Sequence, residues 1–145
     1  MGTAPLHLGN PLADGTVYRA FSTKGFRNRK ANKVRPNAYY RSVDHTDGLS
    51  VGLTLLAAVA RLEINYGYCR LSVDEVNRLP HGILVCPDAD AEGHALLCNI
   101  PFIDGSDEER QRAALIAGAL ARVSIVETCD HYPPKKQDDS PLPAA

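Results

Sequence analysis

The amino-acid sequence predicts an α+β fold: a single domain with about six short, mostly antiparallel strands and three helices. The length of 145 residues suits one domain, and 44% hydrophobic residues with 23% charged residues are typical of a chain that folds around a core. The apolar runs are short and are bounded by Gly, Pro, Asn and Asp, which favours strands and turns. Because these runs do not alternate strictly with helical segments, we expect α+β rather than a doubly wound parallel sheet.

In the first half of the chain, two predicted strands surround a polar loop. The strands cover residues 16–21 and 38–43, and the loop between them, residues 22–36, is rich in Lys, Arg and Asn. A loop of this length suggests function or mobility rather than connection alone. After a turn, residues 49–51 predict a short strand, and the Ala- and Leu-rich residues 53–62 predict a largely buried helix.

In the second half, two capping boxes mark the starts of helices. Ser72 to Glu75 opens a short helix that ends at Pro80, and Ser106 to Glu109 opens a longer helix that runs to about Ala121. We expect the buried positions of the longer helix to include Ala114, Leu115, Gly118 and Ala119. The remaining apolar runs predict strands at 67–71, 82–86, 94–100 and 122–127.

The two ends of the chain differ in composition from the segment between them. Residues 1–14 lack periodicity and predict a flexible arm, whereas residues 132–145 contain four prolines mixed with charged side chains and predict a disordered tail. The single domain is therefore expected to cover residues 15–131.

Composition also limits the compartment and the cofactors. The longest weakly polar run, residues 51–60, is about half of a membrane span, and the N-terminus lacks the features of a secretory signal. We therefore expect a cytoplasmic protein that does not enter a membrane. The four cysteines have no paired metal-ligand spacing, so we expect reduced thiols and no metal cofactor.

The distribution of charge is the most informative feature for function. The net charge is −1, yet eight of the sixteen Lys and Arg residues lie between Gly15 and Val43, a stretch without Asp or Glu. Such a block of cations faces solvent, an acidic surface of its own fold or an anionic partner. Six of them fall in the predicted loop and are candidate anion-binding residues: Lys24, Arg27, Arg29, Lys30, Lys33 and Arg35.

Two further arginines lie in predicted strands. Arg19 follows Tyr18, and Arg41 follows Tyr40, so strand alternation turns one member of each pair toward the core or a cleft. A half-buried arginine needs an anion. The sequence leaves two sources open, a bound phosphate or one of the fold's own carboxylates, which include Glu63, Glu75 and Glu127.

Two polar residues interrupt later apolar runs. Ser50 either fills a small space in its strand or offers its hydroxyl to a ligand. His94 directly follows Gly93 at the start of a strand, and its imidazole points either to solvent or into a pocket. No nucleophile elbow, Walker loop or dinucleotide glycine fingerprint is present.

Five features follow one another in the first half of the chain: the Val17-Tyr18-Arg19 run, the polar loop, Tyr40-Arg41, the Gly48-Leu49-Ser50-Val51 strand and the helix ending in Leu62-Glu63. In this order they resemble the RES-type, ADP-ribosyltransferase-like toxin domains. The resemblance covers residues 16–63. It implies an α+β domain that binds NAD, with Arg19 and Arg41 near the pyrophosphate, Tyr40 and Ser50 in the cofactor site and Glu63 as the catalytic residue. The Tyr-Arg start, the Leu-Ser-Val strand and the later Gly93-His94-Ala95-Leu96 run also resemble small bacterial proteins of no stated activity.

Three functions follow from these features. The first is a nucleotide-handling domain with a basic anion-binding cleft, for which NAD is the candidate cofactor. In the second, the basic loop of a non-enzymatic module binds nucleic acid through its phosphates, with an affinity that falls steeply with salt. The third is a protein-interaction module, such as a subunit of a toxin–antitoxin or defence system, whose basic loop binds an acidic protein surface.

Overall fold

A computed structural model describes residues 8–22, 24–28, 32–42, 48–60 and 67–127. Within these residues the chain forms a six-stranded sheet, a separate two-stranded ribbon, three α-helices and two short 3-10 helices, which confirms the α+β prediction. The strands are β1 (Thr16–Ala20), β2 (Arg27–Asn28), β3 (Lys33–Val34), β4 (Leu49–Gly52), β5 (Tyr68–Ser72), β6 (Leu84–Pro87), β7 (His94–Cys98) and β8 (Ile125–Glu127). The α-helices are α1 (Leu55–Ala60), α2 (Val73–Arg78) and α3 (Asp107–Val123).

The six-stranded sheet has the order β6-β7-β4-β1-β5-β8, and every pairing in it is antiparallel. The longest register joins β1 to β5, where Val17 lies opposite Leu71 and Arg19 lies opposite Cys69. On its other side, β1 pairs with β4 at one position only, Tyr18 opposite Gly52. Beyond that pair the ladder between β1 and β4 does not continue, and this opening positions the candidate site.

One face of the sheet carries the main core. Val17, Leu49, Val51, Leu71 and Leu97 are at most 2% exposed and form one cluster. Helix α3 packs into this cluster through residues spaced three and four apart, as expected for an amphipathic helix. Its buried residues are Ala113, Ile116, Ala117, Ala119 and Leu120.

The predicted buried face of α3 was partly wrong. Ala119 is buried as expected, but Ala114 is exposed, Leu115 is 61% exposed and Gly118 is only partly buried. The apolar residues of this helix nearly surround it, so the sequence alone does not fix which stripe meets the sheet. The buried stripe is set by Ile116 and Leu120, which give the core more apolar volume than alanine does.

The opposite face of the sheet is covered in part by α1, which packs on β1 and β4. Gly52 makes this packing possible, because a Cβ there would lie 2.5 Å from the backbone nitrogen of Ala58. The expectation that this helix is largely buried was wrong for Leu56, which is 72% exposed, whereas Ala58 and Val59 are buried.

Both predicted capping boxes begin helices. The Ser72 hydroxyl accepts from the Glu75 backbone N–H at the start of α2, and the Ser106 hydroxyl accepts from the Glu109 N–H at the start of α3. In α3 the glutamate does not complete the usual box. The Glu109 carboxylate instead accepts from the backbone N–H of Phe102 at 3.1 Å and so fixes the loop that precedes the helix.

The strand predicted over residues 38–43 was wrong for residues 38–42, and residue 43 lies outside the described residues. A 3-10 helix, Pro36–Tyr39, occupies its first part, and Arg41 makes one isolated bridge to Phe102. The two tyrosines and the arginine suggested a strand, but Pro36 at the start of the segment is pre-organised for a helical turn. Ala38 and Tyr39 are consecutive in this helical turn and both are fully buried.

The polar loop that was expected to lack regular structure contains the ribbon β2–β3 and a first 3-10 helix, Lys24–Phe26. Part of the predicted N-terminal arm runs beside the sheet edge: the Gly9 N–H donates to Pro87 and the Leu12 N–H donates to Val85. Within the described residues, no helix is both long and apolar enough to cross a bilayer.

Candidate functional site

Arg19 lies in the opening between β1 and β4. Its Nε donates to the carbonyl of Ala38 at 2.7 Å, and its Nη1 donates to the carbonyl of Ser50 at 2.6 Å. The guanidinium carbon also stands 5.5 Å from the centre of the Tyr39 ring. The arginine side chain therefore supplies donors at the point where backbone pairing between the two strands has ended.

The Arg19 guanidinium contacts the dipoles of two backbone carbonyls. Burial lowers the pKa of its guanidinium, while the Tyr39 and Cys69 side chains act in the opposite direction. Among the described residues no carboxylate is paired with it. Of the internal carboxylates that the sequence suggested, Glu127 pairs with Arg70 at 3.2 Å, and Glu63 lies outside the described residues.

Tyr39 extends this buried polar cluster toward helix α3. Its hydroxyl lies 2.7 Å from the Ser124 Oγ and 3.3 Å from the Cys69 Sγ. Burial raises the pKa of the Tyr39 hydroxyl well above its ordinary value, and burial likewise raises the pKa of the Cys69 thiol. Both groups are therefore neutral at physiological pH, and they connect the region of Arg19 to the end of α3.

Ser50 joins Arg19 to a second set of polar side chains. Its Oγ lies 2.6 Å from the Nε2 of His94, and the His94 Nδ1 lies 2.8 Å from the Oδ2 of Asp88. The second oxygen of Asp88 accepts from the backbone N–H of Asp90 at 2.9 Å. His94 is only 7% exposed. The structure thus places a carboxylate, an imidazole and a hydroxyl in one hydrogen-bonded chain.

The other two residues of the predicted cofactor site lie elsewhere. Arg41 donates from Nη1 to the carbonyl of Ile100 at 2.6 Å, and its guanidinium carbon stands 4.2 Å from the centre of the Phe102 ring. Tyr40 is 39% exposed. The structure therefore brings Arg19 and Ser50 together and places Arg41 beside the segment that follows β7.

A groove of about 300 Å³ lies where the β2–β3 ribbon meets the end of α3. Lys33 lines it from β3 and Arg122 lines it from α3, and both side chains are exposed. None of its eight lining residues, all in the described part of the chain, is acidic. The lining residues are Asn32, Lys33, Val34, Pro36, Gly118, Ala121, Arg122 and Ser124.

The other cations of the loop differ in their surroundings. Arg27 lies in β2 and donates from Nη2 to the Oδ1 of Asn32, a residue of the groove, at 3.1 Å. Arg35 is exposed just before the second 3-10 helix, and Lys24 begins the first one. Two more predicted anion-binding residues, Arg29 and Lys30, lie outside the described residues.

The aromatic residues near these cations are only partly available to a ligand. Phe21 and Tyr39 are fully buried, and Phe21 makes an edge-to-face contact with Phe26, whose ring centre is 6.5 Å away. Tyr40 keeps part of its side chain exposed. Stacking of a nucleic-acid base is therefore excluded for the two buried rings, Phe21 and Tyr39.

Two members of the Ser50 cluster are visible in the sequence. Ser50 and His94 each stand out as a polar residue in an apolar strand, but their contact depends on the pairing of β4 with β7, where His94 lies opposite Gly52. Asp88 carried no signal of its own in the turn after β6. Comparison with protein-family models, with curated proteins and with solved structures finds no match for this chain.

Proposed function

We propose that this domain binds a phosphate-bearing ligand of nucleotide type in the groove between β3 and the end of α3. The observation that carries the proposal is the pair of exposed cations, Lys33 and Arg122, on a concave surface whose lining contains no carboxylate. A positively charged concave surface of this kind attracts anions and raises their local concentration.

The lining also suits the remainder of a nucleotide. Val34, Pro36, Gly118 and Ala121 give the groove an apolar floor on which a ring can lie, while the cations can bind phosphate oxygens. Its volume is close to the lower end of the range of small-molecule pockets. These features support a mononucleotide or part of a dinucleotide better than a bulky polymer.

Among nucleotides, NAD is the first to test. This choice rests on the resemblance of residues 16–63 to ADP-ribosyltransferase-like domains, and in that hypothesis Glu63 acts at the nicotinamide ribose. The chemistry would be stabilisation, by that carboxylate, of the positive charge that develops on the ribose as nicotinamide leaves.

Isothermal titration calorimetry with NAD, ADP-ribose and pyrophosphate tests the binding proposal. We expect Lys33→Glu and Arg122→Glu each to weaken binding at least about tenfold, since each removes an attraction and adds a repulsion. Gly118→Leu should also weaken it by filling the groove without changing any charge. Arg112→Glu is the matched control, because Arg112 is exposed on the same helix and does not line the groove.

Two results would contradict the proposal. One is the absence of heat and of thermal stabilisation with all three ligands, and the other is equal weakening by the control and the groove variants. If NAD binds, Glu63→Gln separates cleavage from binding: release of nicotinamide should stop while the affinity for NAD remains.

A second candidate is a nucleic-acid module, which is favoured by the extra cations Arg27 and Arg35 beside the groove. Its ligand would contact several phosphates at once, so the logarithm of its affinity would fall with the logarithm of salt at close to one unit per phosphate. Binding of a short RNA or DNA duplex at two salt concentrations distinguishes it from a nucleotide site, for which fewer charges give a shallower slope.

A further inference from the structure

We propose that Ser50, His94 and Asp88 form a catalytic triad in which Ser50 is the nucleophile for acyl transfer from a carboxylic ester or thioester. This activity is independent of the proposed nucleotide groove, because none of the three residues lines it. The inference rests on the contacts among the three side chains and on the way that the sheet holds them.

The contacts determine where the protons lie. The Asp88 carboxylate accepts from Nδ1 of His94, which assigns the proton of the neutral imidazole to Nδ1 and leaves a lone pair on Nε2. The Nε2 atom lies 2.6 Å from the Ser50 Oγ and accepts a hydrogen bond from its hydroxyl. The order carboxylate, imidazole, hydroxyl is the one in which histidine acts as a general base on serine.

Each member is held by backbone contacts. The Asp88 N–H donates to the His94 carbonyl at 2.9 Å, and the Asp90 N–H donates to the carboxylate at the same distance, so the carboxylate has a fixed orientation. His94 and Ser50 lie on the paired strands β7 and β4. The carbonyl of Ser50 is held from the other side by Arg19. Catalytic groups on rigid elements keep their geometry without a reorganisation cost.

His94 is the least exposed of the three residues. The side chains of His94 and Asp88 are 8% and 11% exposed, and Ser50 is partly exposed. The imidazole and its contact with the carboxylate are therefore largely shielded from solvent. Shielding strengthens the interaction of the carboxylate with the imidazolium that forms during reaction.

The reaction has two half-steps. In the first, the Ser50 Oγ bonds to the acyl carbon as its proton passes to Nε2, and the bond from that carbon to the leaving alcohol or thiol breaks while His94 returns the proton to the leaving atom. In the second, water bonds to the same carbon and gives its proton to Nε2, the ester bond to Ser50 breaks, and Ser50 Oγ regains the proton. The products are a carboxylic acid and the free alcohol or thiol.

A fluorophosphonate probe tests the nucleophile without knowledge of the substrate. The full-length protein is incubated with the probe, and intact mass and peptide mapping identify the modified residue. We expect one adduct, on Ser50, and a stoichiometric burst of nitrophenolate with p-nitrophenyl acetate. Ser50→Ala should abolish both signals, while Ser106→Ala, which removes an exposed helix cap, should retain them.

Two conservative variants test the roles of the other members. His94→Gln should slow labelling about 100-fold or more, as expected for loss of a general base. Asp88→Asn should slow it by a similar or larger factor, since an amide leaves the imidazole in the wrong tautomer. Circular dichroism confirms that the variants are folded.

Three results would overturn the proposal. Failure of the folded protein to react at millimolar probe, or reaction at a residue other than Ser50, refutes it, as does labelling at the wild-type rate in folded His94→Gln. Lys33→Glu, which tests the nucleotide groove, should leave the labelling rate unchanged, so failure of one proposal is distinguishable from failure of the other.

Discussion

Arg19 and Ser50 are joined through the sheet: the arginine Nη1 donates to the serine carbonyl on one face, while the serine hydroxyl contacts His94 on the other. A partly buried cation thus holds the strand that carries Ser50. Because the ladder between β1 and β4 has already opened at this point, the side chain substitutes for a backbone donor.

Arg19→Lys tests whether the arginine side chain takes the place of a backbone donor. Lysine keeps the positive charge but lacks the planar fork that reaches the carbonyls of Ala38 and Ser50 together, so at least one buried carbonyl loses its donor. We expect the free energy of unfolding to fall by about 2 kcal/mol. Urea denaturation measures it, with Arg112→Lys on the surface of α3 as the control. Equal stabilities of the two variants would show that the fork is unimportant.

Alkaline pH should destabilise the protein through Tyr39 and Cys69. Burial raises both pKa values above their ordinary values of 10.0 and 9.0, so in the folded state these groups keep protons that the unfolded chain releases. The stability that each group contributes is complete below the pKa that it has in the unfolded chain. As pH rises above that pKa, the free energy of unfolding falls by about 1.4 kcal/mol per pH unit for each group that is ionised in the unfolded state and protonated in the folded state.

Urea denaturation between pH 8 and pH 11 measures this loss. In Tyr39→Phe the free energy of unfolding should fall less steeply with pH above pH 10. In Cys69→Ala it should fall less steeply from pH 9 upward. Tyr40→Phe changes a partly exposed tyrosine and is the matched control. An unchanged slope in Tyr39→Phe would contradict the role of burial at this position.

Two glycines should respond oppositely to alanine. In Gly52→Ala the new Cβ would meet backbone atoms of Ala58 and Thr54 at 2.5 to 2.8 Å, and we expect a loss of about 2 kcal/mol as α1 is pushed from the sheet. In Gly118→Ala the nearest atom outside the helix backbone, Nη1 of the Arg122 side chain, is 3.7 Å away, and removing a glycine from a helix interior should add up to about 1 kcal/mol. Thermal and urea denaturation of both variants provide the comparison. A stable Gly52→Ala protein would mean that α1 can move away without cost.

Glu109 should contribute more to stability than its neighbour Glu108. Both acids lie in the first turn of α3, but only Glu109 is partly buried and accepts from the Phe102 N–H. We therefore expect Glu109→Ala to cost about 1.5 kcal/mol more than Glu108→Ala, the value of a hydrogen bond to a charged group. The difference in unfolding free energy between the two variants isolates this bond from the helix dipole. Equal losses would assign the whole effect to the dipole.

The sequence predicted local structure where local interactions decide it. The Ser72 and Ser106 caps begin the helices at the expected positions, and the predicted strands at 82–86 and 94–100 contain β6 and β7, which pair with each other. These features depend on residues a few positions apart, so the pattern of residue types is sufficient to find them.

Predictions failed where distant residues decide the outcome. Tyr40 and Arg41 follow a 3-10 helix instead of lying in a strand, and Tyr39 in that helix contacts Cys69 and Ser124, which are distant in sequence. The contact of Ser50 with His94 depends on the register of β4 against β7, which no local pattern contains. The basic loop was recognised as a candidate anion site, yet Arg122, its partner across the groove, lies near the other end of the domain.

The position of β1 at the centre of the sheet affects the rate of folding. Both of its neighbours, β4 and β5, come later in the chain, so the middle of the sheet cannot form until distant segments meet, and closing those loops is entropically slow. The hairpins β2–β3 and β6–β7 need only nearby residues. We therefore expect the hairpins to appear early in refolding, with insertion of β1 between its two partners as the step that limits the rate.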